Sequence, residues 1–293
     1  MSDLHLIWNP VAGNGLAAKT FTVVTRELES RGIPYTSAKS AYPGHAMELA
    51  KESAARGDKK IVSLGGDGTV REIASALIGT DIPLGIIPCG TGNDIPRPLG
   101  IPSDPIQALD IVLGGTARHM DAAMANDELY FNVAGFGFDV DVLDYVEIYK
   151  KKMKNGSLAY MRGLFAAVTR LKNRKTTITW PGGSAEMNVL LIAAGNGTHF
   201  GGGMKVTPLA DPFDGLLDFC VIHDATKLTL FTLFAGFRSG KHLKTKYVTY
   251  FRSTELTAVC DPPSRLDVDG DVLPGTPVTF RILPKSVWVV VPQ

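Results

Sequence analysis

A glycine-rich segment with one carboxylate in its middle is the part of this sequence best suited to chemistry. Gly65-Gly66-Asp67-Gly68-Thr69 follows a short apolar run, which predicts a buried strand, and leads into a segment with helical periodicity. N–H groups at a helix start attract anions, and glycine lets phosphate approach the backbone. A carboxylate beside phosphate must bind a metal or take a proton. The segment predicts phosphoryl chemistry, or alternatively a tight turn with Asp67 as a helix cap.

Two further glycine-rich loops follow predicted strands. Residues 10–15 follow a strand at 4–9, and residues 89–94 follow a strand at 84–88. Helical patterns separate the predicted strands, and this alternation is typical of a parallel sheet with right-handed crossovers. In such sheets ligands bind at the carboxyl ends of the strands, where all three loops would lie. The first 120 residues therefore predict an α/β domain with an anion or nucleotide site.

The second part of the chain has a different pattern. From residue 119 onward, short apolar segments alternate with Pro/Gly turns, which predicts a largely β domain over residues 121–293. Helical periodicity interrupts it at 139–150, 158–171 and 227–237. A chain of 293 residues is comfortable for two domains.

Composition excludes several classes of protein. No stretch approaches the ~18 apolar residues of a membrane span, and three widely spaced cysteines do not predict a disulfide framework. We therefore expect a cytoplasmic protein. The net charge of +1 conceals two basic blocks, +8 over residues 147–175 and +5 over residues 238–252. Neither block has a recognised nucleic-acid-binding fold or interleaved aromatic residues, so nucleic acid is not an expected partner.

Motifs spread over nearly the whole chain resemble the lipid kinases of the diacylglycerol kinase type, which share a catalytic domain with sphingosine and ceramide kinases. In chain order they are Asn9-Pro10-x-x-Gly13, Pro43-Gly44-His45-Ala46, Gly65-Gly66-Asp67-Gly68-Thr69, Pro88-Cys89-Gly90-Thr91-Gly92-Asn93-Asp94, Gly135-Phe136-Gly137-Phe138-Asp139, Gly201-Gly202-Gly203-Met204-Lys205 and Asp214-Gly215-Leu216-Leu217-Asp218. The resemblance implies an α/β nucleotide-binding domain followed by a β-sandwich domain with a few helices. It also implies an active site in the cleft between them.

The resemblance further implies ATP as phosphoryl donor and Mg²⁺ as cofactor. The implied ATP-binding residues are Asn9, Pro10, Gly13, Ser40, Gly65, Gly66, Asp67, Gly68, Thr69, Val70, Arg71, Thr91 and Asn93. Ser40 and Asn93 are equally suited to capping ordinary turns. Asp211, Asp214 and Leu216 match positions that bind a structural Mg²⁺ in bacterial members, through the Asp214 carboxylate and the other two carbonyls. Without the resemblance, this segment would predict a turn.

Ser40 stands where the family usually has threonine, which is a mild change, and two other positions depart more sharply from the family pattern. Arg71 stands where many members carry asparagine. Asp271 stands at the glutamate of the family's Asp-Gly-Glu, the proposed base for the acceptor hydroxyl, and its side chain is shorter by about 1.5 Å. We expect Asp271 and Asp67 to be the catalytic residues, with a simple hairpin turn at Asp269-Gly270-Asp271 as the alternative.

These observations predict an ATP- and Mg²⁺-dependent lipid kinase, with diacylglycerol as acceptor and phosphatidic acid as product. The alternatives are a kinase of a soluble metabolite, since NAD kinases also carry a Gly-Gly-Asp-Gly loop, and a nucleotide- or lipid-binding regulator without catalysis. Members of the family also pair through one domain, which makes a homodimer a further expectation.

A basic amphipathic segment at 150–175 predicts peripheral contact with the inner face of the membrane. Apolar residues recur there at helical spacing at Leu158, Met161, Leu164, Phe165, Val168 and Leu171. The surrounding cations are Lys150, Lys151, Lys152, Lys154, Arg162, Arg170, Lys172, Arg174 and Lys175. A lipid acceptor must be drawn from a bilayer, and cations near an anionic surface favour binding to it. The alternative is a domain helix that buries its apolar stripe in the protein core.

Overall fold

Parallel strands alternating with helices form the first part of the computed structural model, which describes residues 3–153 and 156–293. The strands are β1 (His5–Trp8), β2 (Thr36–Lys39), β3 (Ile61–Gly65) and β4 (Leu84–Pro88). The helices are α1 (Ala12–Ser30), α2 (His45–Arg56), α3 (Asp67–Leu77) and α4 (Pro105–Gly114). The strand order is β2-β1-β3-β4, and these neighbours are all parallel. The predicted α/β fold of this region is confirmed.

This strand order places the ends of β1 and β3 at a crevice. The chain leaves β1 for β2 on one side and then returns to β3 on the other side of β1. The helices that follow these two strands therefore diverge, and ligands bind at such a switch point, outside the carboxyl ends of the strands. All residues of β3 and β4 are buried, as expected for a parallel sheet covered by helices.

The second part of the structure is largely β. Its strands are β5 (Thr116–Ala125), β6 (Glu128–Tyr130), β7 (Val133–Gly137), β8 (Arg174–Trp180), β9 (Gly183–Gly195), β10 (Leu217–His223), β11 (Val248–Ser253), β12 (Glu255–Asp261), β13 (Leu266–Val268), β14 (Asp271–Leu273) and β15 (Val278–Val291). They pair antiparallel with one another. Phe136, Phe219 and Phe280 lie in the core between them. The predicted β-sandwich domain with a few helices is confirmed.

Three helices and a single 3₁₀ turn complete this part of the described chain. The helices are α5 (Phe138–Lys150), α6 (Gly156–Thr169) and α7 (Lys227–Phe237), and the 3₁₀ turn is Lys241–Lys244. Val142 of α5, Ala167 of α6 and Leu233 of α7 form a separate apolar cluster with residues of β7, β9 and β10. The sheet therefore has apolar contacts on both of its faces in this region.

Strand β15 belongs to both parts of the structure. Phe280 and Ile282 lie in the core of the second part, whereas Val287 and Val289 lie in the core of the first. Val289 pairs with Leu84 of β4 in parallel, and an irregularity in the pairing with β5 separates the two halves. The predicted domain boundary at 120/121 falls inside β5 and stays a prediction.

Neither disulfides nor long apolar helices occur in the described chain. Cys89, Cys220 and Cys260 are free and buried. Burial raises the pKa of Cys89 to about 11 and that of Cys220 to about 12, which keeps both as neutral thiols. Within residues 3–153 and 156–293, no helix has both the length and the apolar character needed to cross a bilayer.

Candidate active site

The loops after β3 and β4 are in direct backbone contact. Gly66 precedes α3, and its carbonyl accepts hydrogen bonds from the N–H groups of Thr69 (3.0 Å) and Val70 (3.1 Å). A Cβ atom on Gly66 would lie 3.2 Å from the Cα of Gly90, and one on Gly90 would lie 2.6 Å from the Cα of Gly66. Glycine at these positions therefore lets the two loops meet without a side chain between them.

A cleft of about 340 Å³ lies at the carboxyl ends of β1, β2 and β3, and we call it the polar cleft because Asn9, Ser40, Thr69 and Glu72 line it. The predicted ATP-binding residues in its lining are Asn9, Pro10, Gly13, Ser40, Gly66, Gly68 and Thr69. The Nδ2 of Asn9 donates to the Oγ1 of Thr69 (3.3 Å), which joins the loop after β1 to α3. The first turn of α3 borders this cleft, where its N–H groups and helix dipole favour phosphate. The volume lies within the usual range for small-molecule sites.

Two residues that the sequence did not single out line the same cleft, Tyr42 and Glu72. The Glu72 carboxylate accepts hydrogen bonds from the N–H groups of Gly44 (2.9 Å) and Ala46 (3.1 Å) at the start of α2. The ring of Tyr42 stacks on His45 with centroids 4.4 Å apart. Glu72 lies in α3 only a few residues after the glycine loop, and this closeness in sequence could have identified it as a residue of the site. Its two hydrogen bonds fix the start of α2 beside α3.

Four other predicted ATP-binding residues, among those the structure describes, lie outside the lining of this cleft. A Cβ on Gly65 would lie 2.4 Å from the Oγ1 of Thr69, and Val70 is buried in the first core. The Oδ1 of Asn93 accepts the N–H of Gly90 (2.7 Å), so Asn93 braces its own loop. Thr91 is exposed on that loop.

Asp67 lies between the polar cleft and a second, apolar cavity. Gly66 and Gly68 line the polar cleft, whereas Asp67 between them lines the apolar cavity. The Oδ1 of Asp67 accepts the N–H of Ile95 (2.9 Å). Asp67 is the first residue of α3, and the described residues show no side-chain cap on that helix. The helix-cap interpretation is therefore wrong, and Asp67 instead contacts the loop after β4.

The apolar cavity has a volume of about 320 Å³ and lies within the second part of the structure. Its apolar wall includes Phe138, Val142, Leu164, Leu191, Leu230 and Phe237. These residues come from α5, α6, β9 and α7 and belong to the cluster that those elements form. Sequence reasoning did not predict this cavity, because its wall is built from segments far apart in the chain. Such a cavity fits hydrocarbon.

Four carboxylates line the same cavity: Asp67, Asp139, Asp267 and Asp269. Burial and then the neighbouring Asp267 raise the pKa of Asp139 to about 8, and burial raises the pKa of Asp267 to about 6. Asp139 therefore holds a proton more tightly than a carboxyl group in water does. Its Oδ1 is buried and has no hydrogen-bond partner among the described residues. A polar atom in this position favours a ligand with a hydrogen-bonding group beside its hydrocarbon.

Asp269 and Gly270 form the turn between β13 and β14. Their φ angles of 50° and 93° are typical of a two-residue hairpin, so the turn named as the alternative is present, and the role of Asp271 stays a prediction. The Asp269 carboxylate accepts the N–H groups of Phe131 (2.9 Å), Asn132 (3.1 Å) and Val133 (3.1 Å). Burial raises the pKa of Asp269 to about 6, although these hydrogen bonds oppose the rise. The turn is thereby fixed to the segment before β7.

Asp271, the predicted base, is paired with Arg71. The Arg71 Nη2 donates to the Oδ2 of Asp271, and its Nη1 donates to the carbonyl of Val268 (3.2 Å). The Asp271 side chain is 57% exposed, and that of Arg71 is 25% exposed. Among the described residues, the linings of the two cavities include Asp67 but neither member of this pair. The two departures from the family pattern therefore contact each other.

The predicted metal-binding residues lie in the turn before β10. The Oδ1 of Asp214 accepts the N–H of Leu216 (3.0 Å), and the Asp214 N–H donates to the Asp211 carbonyl (3.3 Å). The Asp214 Oδ2 lies 3.7 Å from the Nη1 of Arg252. Hard oxygen donors of this kind, with water completing the octahedron, suit Mg²⁺. In the described chain, no group of three or more His, Cys, Asp or Glu side chains is arranged to hold a metal.

The predicted apolar stripe of α6 is divided between core and surface. Leu164 and Val168 pack in the cluster around the apolar cavity. Leu158, Met161 and Phe165 are exposed, with exposed fractions of 58% for Met161 and 70% for Phe165. The predicted helix exists, and one part of its apolar surface is not covered by the protein.

The predicted cations around α6 are only partly at the surface. The exposed ones are Lys151, Lys152, Arg162, Arg170, Lys172 and Lys175. Arg174 is instead buried at the start of β8 and donates to Asp141 (2.6 Å), so its assignment to the cationic surface was wrong. Lys154 lies outside the described residues, as does the side chain of Lys150.

Two family models match the chain in tandem. Residues 3–125 match the diacylglycerol kinase catalytic domain, and residues 132–291 match the YegS C-terminal NAD kinase beta sandwich-like domain. The first range contains the polar cleft, and the second contains the apolar cavity except for its contact with α3 and the loop after β4.

Curated relatives align over almost the full length. A diacylglycerol kinase of Mycobacterium tuberculosis is 31% identical over 97% of this chain and 94% of its own. A diacylglycerol kinase of Bacillus subtilis is 28% identical over 100% of this chain and 97% of its own. The crystal structure of a putative diacylglycerol kinase from Bacillus anthracis has a TM-score of 0.80 at 24% identity, covering 99% of this chain and 97% of that one.

Proposed function

Because the chain belongs to the diacylglycerol kinase catalytic-domain family, we propose that it is an ATP-dependent lipid kinase. The proposed reaction transfers the γ-phosphoryl group of ATP to the free hydroxyl of diacylglycerol and gives phosphatidic acid. Curated relatives named diacylglycerol kinase support this choice of acceptor.

The position of Asp67 is the single observation that carries the proposal. Its two neighbours line a polar cleft suited to phosphate, and its own side chain lines an apolar cavity suited to hydrocarbon. A kinase that phosphorylates a lipid must hold the phosphoryl donor and the hydroxyl of the lipid next to each other. We place the reacting phosphoryl group at the junction that Asp67 occupies.

The phosphate-binding side of the reaction is assigned to the predicted loops. Backbone N–H groups at the start of α3 and the polar groups of Asn9, Ser40 and Thr69 would hold the ATP phosphates. Gly65, Val70 and Asn93 would hold these loops in place, as their contacts indicate. Mg²⁺, when bound with ATP, supplies positive charge that offsets the charge of the phosphates.

The chemical step is a transfer of one phosphoryl group and one proton. The acceptor oxygen forms a bond to the γ-phosphorus, and the bond from that phosphorus to the oxygen of the departing ADP breaks. The hydroxyl proton moves to a carboxylate within hydrogen-bond reach. Asp67 and Asp271 are the two predicted bases, and we assign this role to Asp67 because it lines the apolar cavity.

A structural Mg²⁺ is proposed at Asp211, Asp214 and Leu216. The Asp214 carboxylate and the carbonyls of the other two would bind it. Because a metal that binds the native state stabilises it, added Mg²⁺ should raise the Tm of the wild-type protein. Asp214→Asn should abolish this rise, and an equal rise in both proteins would contradict the site.

The exposed apolar row of α6 supports peripheral contact with a bilayer. Leu164, on the same helix as the exposed Met161 and Phe165, lines the apolar cavity. A bilayer that covers this helix would lie beside the cavity that takes the hydrocarbon chains of the acceptor. Exposed Lys151, Lys152 and Arg162 would favour an anionic surface.

Pairing of two copies of the chain also stays a prediction, and sedimentation velocity is the measurement that tests it.

Radiolabelled ATP offered with a panel of acceptors tests the proposed function. We expect label in phosphatidic acid when diacylglycerol is supplied in vesicles, and no label in NADP⁺ when NAD⁺ is supplied. Transfer to NAD⁺ would instead indicate a kinase of a soluble metabolite. ATP binding without consumption in any arm would indicate a regulator.

A further inference from the structure

The two residues that depart from the family pattern meet across the boundary between the two parts of the structure. Arg71 lies one helical turn after Asp67 and therefore on the same face of α3. Its guanidinium donates to the Asp271 carboxylate and to the Val268 carbonyl. Val268 and Asp271 are opposite residues at the closed end of the β13–β14 hairpin. One side chain on α3 thus holds both strands of the hairpin.

The hairpin carries carboxylates that line the apolar cavity. Asp267 lies on β13, and Asp269 lies in the turn, where three backbone N–H groups hold it. Arg71 itself lies on α3, which directly follows the glycine-rich segment at the polar cleft. The Arg71 contact therefore connects the helix beside the polar cleft with the hairpin that lines the apolar cavity.

The same contact engages the Asp271 carboxylate. A base must lie within hydrogen-bond reach of the acceptor hydroxyl. Asp271 is mostly exposed and paired with a guanidinium, whereas Asp67 lines the cavity. Arg71, in turn, is directed at the hairpin and not at the lining of the polar cleft, as far as the described residues define it.

We infer that Arg71 and Asp271 form a clamp that fixes the hairpin against α3 and thereby sets the spacing between the phosphoryl donor and the lipid acceptor. Both are then positioning residues, and Asp67 alone has the role of base. The inference rests on the proposed kinase function. An exposed ion pair adds little to stability, whereas a displacement of about 1 Å between reactants lowers turnover on the order of 100-fold. Loss of the clamp should therefore lower kcat with little change in Tm.

Steady-state kinetics with ATP and diacylglycerol vesicles test the clamp in Arg71→Met, Asp271→Asn and the double variant. We expect each single variant to lower kcat about 10- to 100-fold, with the KM for ATP within about threefold of wild type. Because both changes break the same contact, the double variant should be within about threefold of the slower single variant. A loss in the double variant equal to the product of the single losses would overturn the clamp.

The dependence of kcat on pH separates a positioning role from a base. If Asp271 only positions the hairpin, Asp271→Asn should keep the fall of kcat at acidic pH, because the proton acceptor is still present. Disappearance of that fall in Asp271→Asn would make Asp271 the base and overturn the inference.

Two further variants test whether the effect is specific to the Arg71–Asp271 contact. Arg71→Lys keeps the charge but loses the fork that reaches two acceptors, so a partial loss of kcat is expected, and wild-type kcat would contradict the clamp. The Arg31–Asp110 pair is a matched control, with exposed fractions of 32% and 54% and a distance of 2.6 Å. Arg31→Met should leave kcat unchanged, and an equal loss there would contradict a specific effect.

The same assay distinguishes the two levels of the proposal. An active wild type with variants at the wild-type rate would overturn the clamp alone. A wild type that does not phosphorylate any lipid in the panel would overturn both the proposed function and the role of the clamp in it.

Discussion

Asp67 combines two requirements at a single residue. As the first residue of α3, Asp67 lies beside the free N–H groups of that helix start, and its side chain lines the apolar cavity. A carboxylate that merely capped the helix would satisfy its own backbone instead of contacting Ile95 in the next loop. Under the proposed function, this position would let Asp67 take the proton of the acceptor hydroxyl.

The first prediction concerns Asp67→Asn. The change keeps the shape of the side chain but removes its capacity to take a proton, so kcat should fall by a factor on the order of 100 to 10,000. Isothermal titration should give an ATP affinity within about threefold of wild type, which shows that the loop is intact. Wild-type turnover in the variant would remove Asp67 from the chemistry.

The second prediction concerns Asp139. Burial and Asp267 raise the pKa of Asp139 to about 8, far above the ordinary value, so the folded protein holds this proton more tightly than the unfolded chain. This contribution to stability is complete below pH 4 and is lost as pH rises toward 8. Asp139→Asn, which resembles the protonated form, should not show that loss.

Thermal unfolding at pH 5 and pH 8.5 measures the difference. The Tm of Asp139→Asn relative to wild type should be at least about 2 °C more positive at pH 8.5 than at pH 5, because each tenfold difference in proton affinity between the folded and unfolded chain is worth ~1.4 kcal/mol. Asp127→Asn, in the exposed β5–β6 turn, is the control and should show no such difference. A difference of opposite sign at Asp139 would contradict its protonated state.

At the scale of elements, the sequence predicted what depends on neighbours in the chain. Strands β1, β3 and β4 were predicted from apolar runs, and the start of α4 is likewise local, because the Asp104 side chain accepts the N–H groups of Ile106 and Gln107. These signals are local, because strand pattern and caps involve residues a few positions apart.

The parts that could not be predicted depend on distant residues. The Arg71–Asp271 contact joins positions 200 residues apart. Their residue types can be read from the sequence, but nothing near either residue in the chain indicates that the two side chains contact each other. The wall of the apolar cavity combines α5, α6 and α7, each of which was predicted without its partners, with strand β9. Arg174 was taken for a surface cation because a charged residue after a helix is usually solvated, whereas Asp141 pairs with it.

The third prediction concerns the exposed row of α6. Phe165→Ser and Met161→Ser should lower co-sedimentation with vesicles severalfold, because each removes apolar surface that a bilayer would cover. Binding should also rise with the anionic lipid content and fall with salt. Val259→Ser, which changes an exposed apolar residue on β12, is the matched control and should bind like wild type. Equal binding by all variants would leave α6 without a membrane role.

At the scale of the whole molecule, β15 makes the two parts of the structure depend on each other. Its two halves contribute apolar residues to different cores, so neither core is complete without this strand. The strand also pairs with β5 along most of its length and with β4 and β12 at its two ends. We expect the two cores to unfold together.

The fourth prediction tests this dependence by calorimetry. Val289→Ala should lower stability by about 2 kcal/mol and Phe280→Ala by about 3–5 kcal/mol, since both side chains are fully buried. Each should shift one common transition, although the two residues lie in different cores. A second transition that moves with one variant and not with the other would show that the cores unfold independently.

The same strand bears on how the chain is made. Strands β1 to β4 are synthesised early. Strand β15, which pairs with β4 on the side away from β3, comes after every other described element of the chain. Domains usually fold as units in the order of their synthesis. The sheet of the first part of the structure is complete only once β15 has been synthesised, so a ribosome-bound chain stalled before residue 278 should lack a stable first part.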